Sequence, residues 1–297
     1  MQGRIIKGVG GLYEVASIDD TDDRLFTCTA RGLFRYQKIK PAIGDRVEFE
    51  KDPADDKPDR GNIRKILPRQ NLLLRPTVAN VDQAMLVMAC TRPEPNYNLV
   101  DRFLISLKMR EVPILLCFNK CELIDDTAKE HCLRIYENSG CKVLFMSAHT
   151  GYGIEEAAKL LRGKTTALAG PSGVGKSSFV NAVFPEARSQ TGALSDKIAR
   201  GKHTTRHSEL MRIARDTYLC DTPGFSSLFL EETDCDSLRD YYPEFEPFES
   251  GCRFRGCAHV KERDCEVREA AARGDIAPER YENYVLIYEE LKRNKKY

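Results

Sequence analysis

The sequence predicts a multidomain α/β protein in three segments: a small β-barrel over residues 1–68, a parallel sheet wrapped by helices over residues 69–228, and a short α-helical, metal-stapled unit over residues 229–297. Three observations carry this expectation. Short alternating runs separated by turn-rich stretches fill the first segment. From residue 81, apolar runs alternate with amphipathic helical patterns. Near the end, residues 252–265 bring together three cysteines and a histidine.

Composition sets the outer limits. With 297 residues, 41% of them apolar and 31% charged, the chain is long enough for two or three domains with real cores and falls among soluble globular proteins. The N-terminus MQGRIIKGVGGLYEV lacks the apolar core of a signal peptide, and no run approaches the ~18 apolar residues of a membrane helix. A cytoplasmic protein with no membrane role is expected. Eleven cysteines is an odd number, and Cys90, Cys117 and Cys220 lie in apolar runs, so reduced thiols are expected rather than disulfides. The net charge of +1 gives no overall attraction for nucleic acid, so any RNA contact must use local patches. No extended apolar heptad is present, and a monomer is expected.

In the first segment GRIIKGVGGLYEVASI, RLFTCTARGLFRY and DRVEFEK read as strands, with DDTDD and DPADDKPDRGN as turns. An OB-type barrel is the candidate. The ordinary expectation is that its aromatics fill the core; the alternative puts Arg31, Phe34, Arg35 and Tyr36 on a face suited to stacking bases.

In the second segment QAMLVMACT, VPILLCFNK, CKVLFMSA and TTALAGPSG are buried-strand candidates, with helical patterns at about 97–110, 127–139 and 154–162. SELMRIAR and DTYLCDTPG add a strand pair. The run Gly170-Pro171-Ser172-Gly173-Val174-Gly175-Lys176-Ser177-Ser178 follows an apolar strand and precedes the helical SSFVNAVF, the context a phosphate-binding loop requires. Its glycines let backbone N–H groups curl around phosphates at a helix N-terminus. Lys176 reaches the β/γ oxygens, and the Ser177 hydroxyl ligates Mg2+. DTPG then puts Asp221 at a strand end, where a carboxylate can hold the magnesium shell, and Gly224 where its N–H can meet a γ-phosphate. Between them GKHTTR offers Thr204 and Thr205 to complete the magnesium shell, and Thr205 is preferred.

The base-reading residues come earlier in the chain. In CFNKCEL, Asn119 can contact a base, Lys120 can pack along its pocket, and Glu122 can accept from the N1–H and exocyclic amine that guanine has and adenine lacks. In FMSAHTG, Ser147 and Ala148 are placed for a backbone contact to the base oxygen. Asn119, Lys120 and Glu122 argue against an ATP-using P-loop enzyme. The order is base, base, phosphate, switch, switch. A circularly permuted sheet explains it: the old termini are joined through the short helix at 154–162, and new ends open after DTPG.

On NKCEL, SA, GPSGVGKSS, GKHTTR and DTPGF, preceded by a barrel and followed by a Cys/His unit, the chain resembles over nearly its full length the circularly permuted GTPases of the ribosome small-subunit-dependent GTPase A family (RsgA/YjeQ). The resemblance implies an OB-fold RNA-binding barrel, a circularly permuted P-loop GTPase domain that binds GTP and GDP, and a zinc-binding C-terminal domain. It also implies action in late maturation of the small (30S) ribosomal subunit, with that subunit and its rRNA as partners. The family usually has Asp where this chain has Glu122, and the extra methylene bears on guanine selectivity.

Ras-like enzymes follow the switch glycine with a Gln that orients water, whereas here Phe225 can neither donate nor accept. Slow intrinsic hydrolysis is expected. His203 is the candidate catalytic substitute, since imidazole can hold or polarise water near neutral pH; the alternative is that it shapes its loop or contacts a partner. Cys252-x4-Cys257-x-His259-x5-Cys265 supplies three thiolates and one imidazole, the donor set of a closed structural zinc site. Among these ligands Arg253, Arg255, Lys261 and Arg263 form a local basic patch open to RNA or to solvent. The function expected is a magnesium-dependent GTPase that binds the small subunit, is stimulated by it and leaves after hydrolysis. The alternative is an RNA-binding checkpoint module in which nucleotide sets conformation and turnover is incidental.

Overall fold

The computed structural model describes residues 1–19, 24–30, 40–52, 59–74, 77–184, 209–214, 216–221 and 233–295. Two compact units result. One takes Met1–Ala84, Glu156–Ala169 and Val180–Phe225, the other Met85–Glu155, Gly170–Phe179 and Ser226–Tyr297.

Strands β1 (Gln2–Val9), β2 (Leu12–Ser17), β3 (Leu25–Ala30), β4 (Arg46–Lys51) and β5 (Arg60–Ile66) close into a barrel in the order β1-β2-β3-β5-β4. All its pairs are antiparallel except β3 with β5. This is an OB-type barrel. Alternation sends Ile5, Val15, Phe26, Val47, Phe49 and Ile63 into the core, where the rings of Phe26 and Phe49 lie 5.0 Å apart. The run GRIIKGVGGLYEVASI is two strands, not one. Gly10 and Gly11, at φ +62° and +88°, supply the two left-handed residues of a tight hairpin turn. The turn-rich DPADDKPDRGN also ends inside β5, whose Arg60 and Gly61 pair with Thr27 and Cys28. Arg31, Phe34, Arg35 and Tyr36 lie outside the described residues.

A short hairpin, β6 (Leu72–Leu74) and β7 (Thr77–Ala79), precedes the main sheet. That sheet holds β8 (Gln83–Ala89), β9 (Ile114–Asn119), β10 (Lys142–Phe145), β11 (Thr165–Ala169), β12 (Leu210–Ala214) and β13 (Thr217–Asp221), in the order β10-β9-β8-β11-β13-β12. β10 runs parallel to β9 and β11 parallel to β13, and β12 is an antiparallel edge. Every residue of β8, β9 and β11 is buried, which is why these strands read as largely apolar runs with polar residues only at their ends. The strand that leads into Gly170 is thus central in the order, between strands that precede it and strands that follow it, as in a circularly permuted GTPase sheet.

The helices start where capping side chains allow. Asn96 accepts from the Leu99 N–H at the head of α1 (Tyr97–Lys108), and Asp125 accepts from Ala128 at the head of α2 (Asp126–Tyr136). α1 buries Val100, Phe103, Leu104 and Leu107, one face at helical spacing. α3 (Ile154–Leu161) leads back into β11, and α4 (Lys176–Val183) follows the glycine-rich loop.

The C-terminal region packs 3-10 turns, α5 (Glu246–Glu249), α6 (Glu266–Arg273) and α7 (Pro278–Asn294) around Leu238, Tyr242, Phe245, Val267, Tyr284 and Ile287. α6 ends on Gly274 at φ +84°, a left-handed cap. Arg280 of α7 is 1% exposed, donates to Asp101 of α1 at 2.5 Å and to Glu244 at 2.7 Å, and lies over the Tyr242 ring. None of the eleven cysteines forms a disulfide. Among the described residues no helix is long and apolar enough to cross a membrane.

Candidate nucleotide site and metal centre

The apolar strand β9 ends at Asn119, whose side chain is buried and satisfied at both ends. Nδ2 donates to the Val174 carbonyl at 2.8 Å, and Oδ1 accepts from the Ala148 N–H at 3.1 Å. One amide therefore joins the NKCEL, SA and glycine-loop motifs. Two glycines make the approach possible. A Cβ on Gly175, at φ +93°, would stand 2.3 Å from Asn119 Nδ2, and one on Gly170 would stand 2.1 Å from the Val87 carbonyl oxygen. The first and last glycines of the loop are thus required by close backbone passage as well as by turn geometry.

Lys120 takes a left-handed conformation at φ +62° and turns the chain sharply into the 3-10 turn Cys121–Leu123, which leaves Glu122 exposed. Its ammonium donates to the Gly173 carbonyl at 2.7 Å and to the Arg92 carbonyl, so the stem lies along the glycine loop. Ser147 is fully buried. Its Oγ accepts from Thr150 N–H at 3.0 Å and its own N–H donates to the Tyr152 carbonyl, which fixes the backbone turn that presents Ala148.

α4 begins at Lys176, directly after the loop, so the N–H groups of its first turn have no intrahelical acceptor and favour an anion there. Lys176 Nζ donates to the carbonyls of Gly170 and Pro171 at 2.7 and 2.8 Å, which holds the ammonium at the start of the loop. Ser172 and Gly173 are exposed, Val174 is fully buried, Ser177 is half-buried and Ser178 is exposed. Asp221 ends β13 in register with Leu168 of β11, the strand that leads into Gly170. His203, Thr204, Thr205, Gly224 and Phe225 lie outside the described residues.

The four sulfur and nitrogen donors of Cys252, Cys257, His259 and Cys265 lie within 4.8 Å of one another. Cys252 Sγ is 3.9 Å from Cys265 Sγ and 3.6 Å from His259 Nδ1, and Cys265 Sγ is 3.4 Å from the same nitrogen. A tetrahedral zinc with ~2.3 Å sulfur and ~2.0 Å nitrogen bonds needs donor separations of about 3.8 and 3.5 Å. The residues fit zinc. Burial pushes the Cys265 thiol up to about 12, so a thiolate here needs a cation beside it. Burial also holds His259 below the ordinary imidazole range, against the pull of Glu249, and a neutral ring is what a metal binds. Sequence reasoning missed three supports of this site. Glu249 Oε1 lies 3.3 Å from His259 Nε2, and the hydroxyls of Tyr281 and Tyr284 donate to the carbonyls of His259 and Ala258. It also missed the Val174, Gly173 and Arg92 carbonyls, because a backbone acceptor carries no residue signature.

The profile of the RsgA GTPase matches residues 66–231, and that of the RsgA N-terminal domain matches residues 2–57. A protein of Agathobacter rectalis named small ribosomal subunit biogenesis GTPase RsgA is 47% identical, with 100% of each chain covered. One of the same name from Alkaliphilus metalliredigens is 42% identical, over 100% of this chain and 99% of that one. Among solved structures, YjeQ from Thermotoga maritima superposes with a TM-score of 0.81 at 35% identity, over 98% of each chain. YloQ, described as a circularly permuted GTPase, superposes with a TM-score of 0.78 at 32% identity, over 99% of this chain and 95% of that one. A profile spanning more than half the chain, joined to full-length relatives at such identities, leaves one assignment: the chain belongs to the RsgA GTPase family, and is a GTP hydrolase.

Proposed function

We propose that this GTPase binds the immature small (30S) ribosomal subunit through its rRNA, is stimulated by it, assists late maturation and leaves after hydrolysis. The nucleotide half of the reading rests above all on one observation, the Asn119 amide that joins the glycine loop to the turn at Ala148. Relatives named small ribosomal subunit biogenesis GTPase and an OB-type barrel, a fold suited to RNA, support the ribosomal half. In this reading residues 1–68 are the RNA-binding barrel, 69–228 the GTPase domain and 229–297 the zinc domain of a cytoplasmic monomer.

The chemistry follows from the residues. Asn119, Lys120 and Glu122 hold guanine, with the carboxylate accepting from N1–H and the exocyclic amine, while the Ala148 backbone meets the base oxygen. The N–H groups of the Gly170–Ser178 loop and the N-terminus of α4 cradle the phosphates, and Lys176 neutralises charge that builds on the β/γ bridge. Hydroxyls of Ser177 and Thr205 with the Asp221 carboxylate make a hard-oxygen set suited to Mg2+, which when bound offsets phosphate charge. Gly224 N–H meets the γ-phosphate. His203 holds the attacking water in place of the Gln that Phe225 replaces. Cys252, Cys257, His259 and Cys265 hold one structural zinc.

The test is phosphate release from GTP and from ATP, with and without purified small subunits, using Lys176→Ala as control. Slow GTP turnover raised strongly by subunits, with ATP inert, is the expected result. Turnover indifferent to subunits would overturn the ribosomal half, and equal use of ATP would overturn the base-reading half.

A further inference from the structure

We infer that Phe254 stacks on an unpaired RNA base, with Arg255 and Arg263 on the neighbouring phosphates. The inference rests on the reading of rRNA as partner and names one contact within it.

Phe254 lies in the short loop between two metal-site thiols, Cys252 and Cys257, and is 49% exposed although the core beside it is filled by other aromatics. A single exposed apolar side chain is ordinary by itself. Here the loop is anchored on three sides. Its ends are the Cys252 and Cys257 thiols, and Arg253 is tied to Asp264 twice, from its N–H to the carbonyl at 3.1 Å and from Nη1 to the carboxylate at 2.9 Å. The Arg253 guanidinium lies 5.5 Å from the Phe254 centroid, close enough for a cation–π contact. The ring is presented on a braced loop instead of being left on a free one. An ordered aromatic loses little entropy when it stacks.

The surrounding charge decides what it meets. The nearby acids are already engaged: Asp264 by Arg253, Glu249 by His259, Glu289 by Lys261 at 3.3 Å, and Glu262 by the N–H groups of Ala258, Val260 and Lys261. Arg255 and Arg263 are exposed, and among the described residues neither has a carboxylate partner. Arg255 follows Phe254 in the loop, and Arg263 adjoins Asp264, the residue that ties down Arg253. An exposed planar apolar face with unpaired guanidinium groups on its own and the adjoining segment matches a base with its phosphates. Bases offer a free face where they are unpaired, so the target is single-stranded RNA or a loop, not a duplex.

The chain contains no tryptophan, so Phe254→Trp creates a single reporter in the full-length, zinc-loaded protein. Its emission is followed during titration with a single-stranded oligoribonucleotide of mixed sequence and with the same sequence as a duplex. Anisotropy of labelled RNA measures binding in parallel. Quenching that saturates together with anisotropy for the single strand, and not for the duplex, is expected. Phe254→Ala and Phe254→Leu are each expected to weaken single-strand binding about 5- to 100-fold without changing its salt dependence, and Phe254→Tyr to restore it. Single-strand binding that leaves the tryptophan emission unchanged overturns the inference. So does a Leu variant that binds as well as Tyr, which would point to an apolar pocket on a protein. Absence of any binding by wild type to RNA or to small subunits overturns the partner reading itself, and this contact with it.

Discussion

The side-chain amide of Asn119 donates to the Val174 carbonyl at 2.8 Å across 55 residues of sequence, and a glycine at position 175 is what leaves room for it. The end of β9 and the crown of the glycine loop are therefore one mechanical unit. Gly175→Ala puts a methyl group against that amide at a backbone angle that side chains rarely adopt, and Asn119→Ala leaves the Val174 carbonyl and the Ala148 N–H without their partner. Each orphaned buried group costs about 1–3 kcal/mol. Both variants are expected to lose GDP and GTP affinity together, by about 10- to 100-fold, in titrations with a fluorescent guanine nucleotide. Normal affinity in Gly175→Ala would mean that the contact does not organise the site.

Glu122 is exposed on a tight turn beside Lys120, free to meet a base edge. A site that pairs a carboxylate with two base donors rejects a base lacking them through the unpaired group left behind. Glu122→Ala is expected to cut the preference for GTP over ATP by about 100-fold, and Glu122→Asp to keep it. Inosine triphosphate, which lacks the exocyclic amine, should lose less against Glu122→Ala than against wild type. Competition binding measures all three, and an unchanged GTP preference in the Ala variant would remove Glu122 from the site.

The Glu249 carboxylate faces the His259 nitrogen opposite the one turned to the thiols. A partner there fixes the ring tautomer and raises ligand basicity. One zinc per chain is expected by elemental analysis. Glu249→Gln is expected to lower zinc affinity about 10-fold in competition with a chromophoric chelator, and Cys257→Ser to lower it much further. Equal affinity in Glu249→Gln would show that the ring is held by its other contacts.

Lys108 donates to the carbonyls of Ser139 and Tyr241 at 2.6 and 3.0 Å, and burial lowers its ammonium to about 8. The unfolded chain keeps that proton to about 10.4. Between these values the unfolded state binds more protons, so this lysine raises stability as pH climbs from about 8 and contributes a constant cost below it. Urea unfolding from pH 7 to 10 should show the wild-type curve rising relative to Lys108→Met across that window. Parallel curves would mean that the ammonium is better solvated than its burial implies.

The main-sheet strands are legible because burial on both faces leaves largely apolar runs, and the Cys/His cluster because three thiols and an imidazole so close in sequence form a donor set, which the fold brings within 4.8 Å of one another. β5 is not, since Arg60, Gly61 and Asn62 look like the end of a turn until β3 and β4 are beside them. The Gly10-Gly11 hairpin lies inside what the sequence presents as one strand. Asn119 could be named from its motif, but not its bond to Val174, which depends on how strand and loop approach in space. Glu249 and Arg280 carry no local signal at all, because a charged residue in a polar stretch is expected in solvent.

Arg280 shows how far that last expectation can fail. The guanidinium is fully enclosed, with Asp101 of α1 on one side, Glu244 on another and the Tyr242 ring beneath, while Asn283 completes the shell of Asp101. Two carboxylates around one buried cation raise its affinity for a proton, while burial, aided by the Glu244 charge, holds the Asp101 carboxyl above its usual range despite the pull of Arg280. Removing the cation leaves Asp101 facing Glu244 with no positive charge between them. Arg280→Met is therefore expected to cost about 3–5 kcal/mol in urea unfolding, and the double variant Arg280→Met/Asp101→Asn to recover a large part of it. Arg280→Lys keeps the charge but cannot reach both acids from one planar fork, and should fall between wild type and Met. Additive losses in the double variant would mean that the two side chains act separately, and that α7 is held to α1 by its apolar face alone.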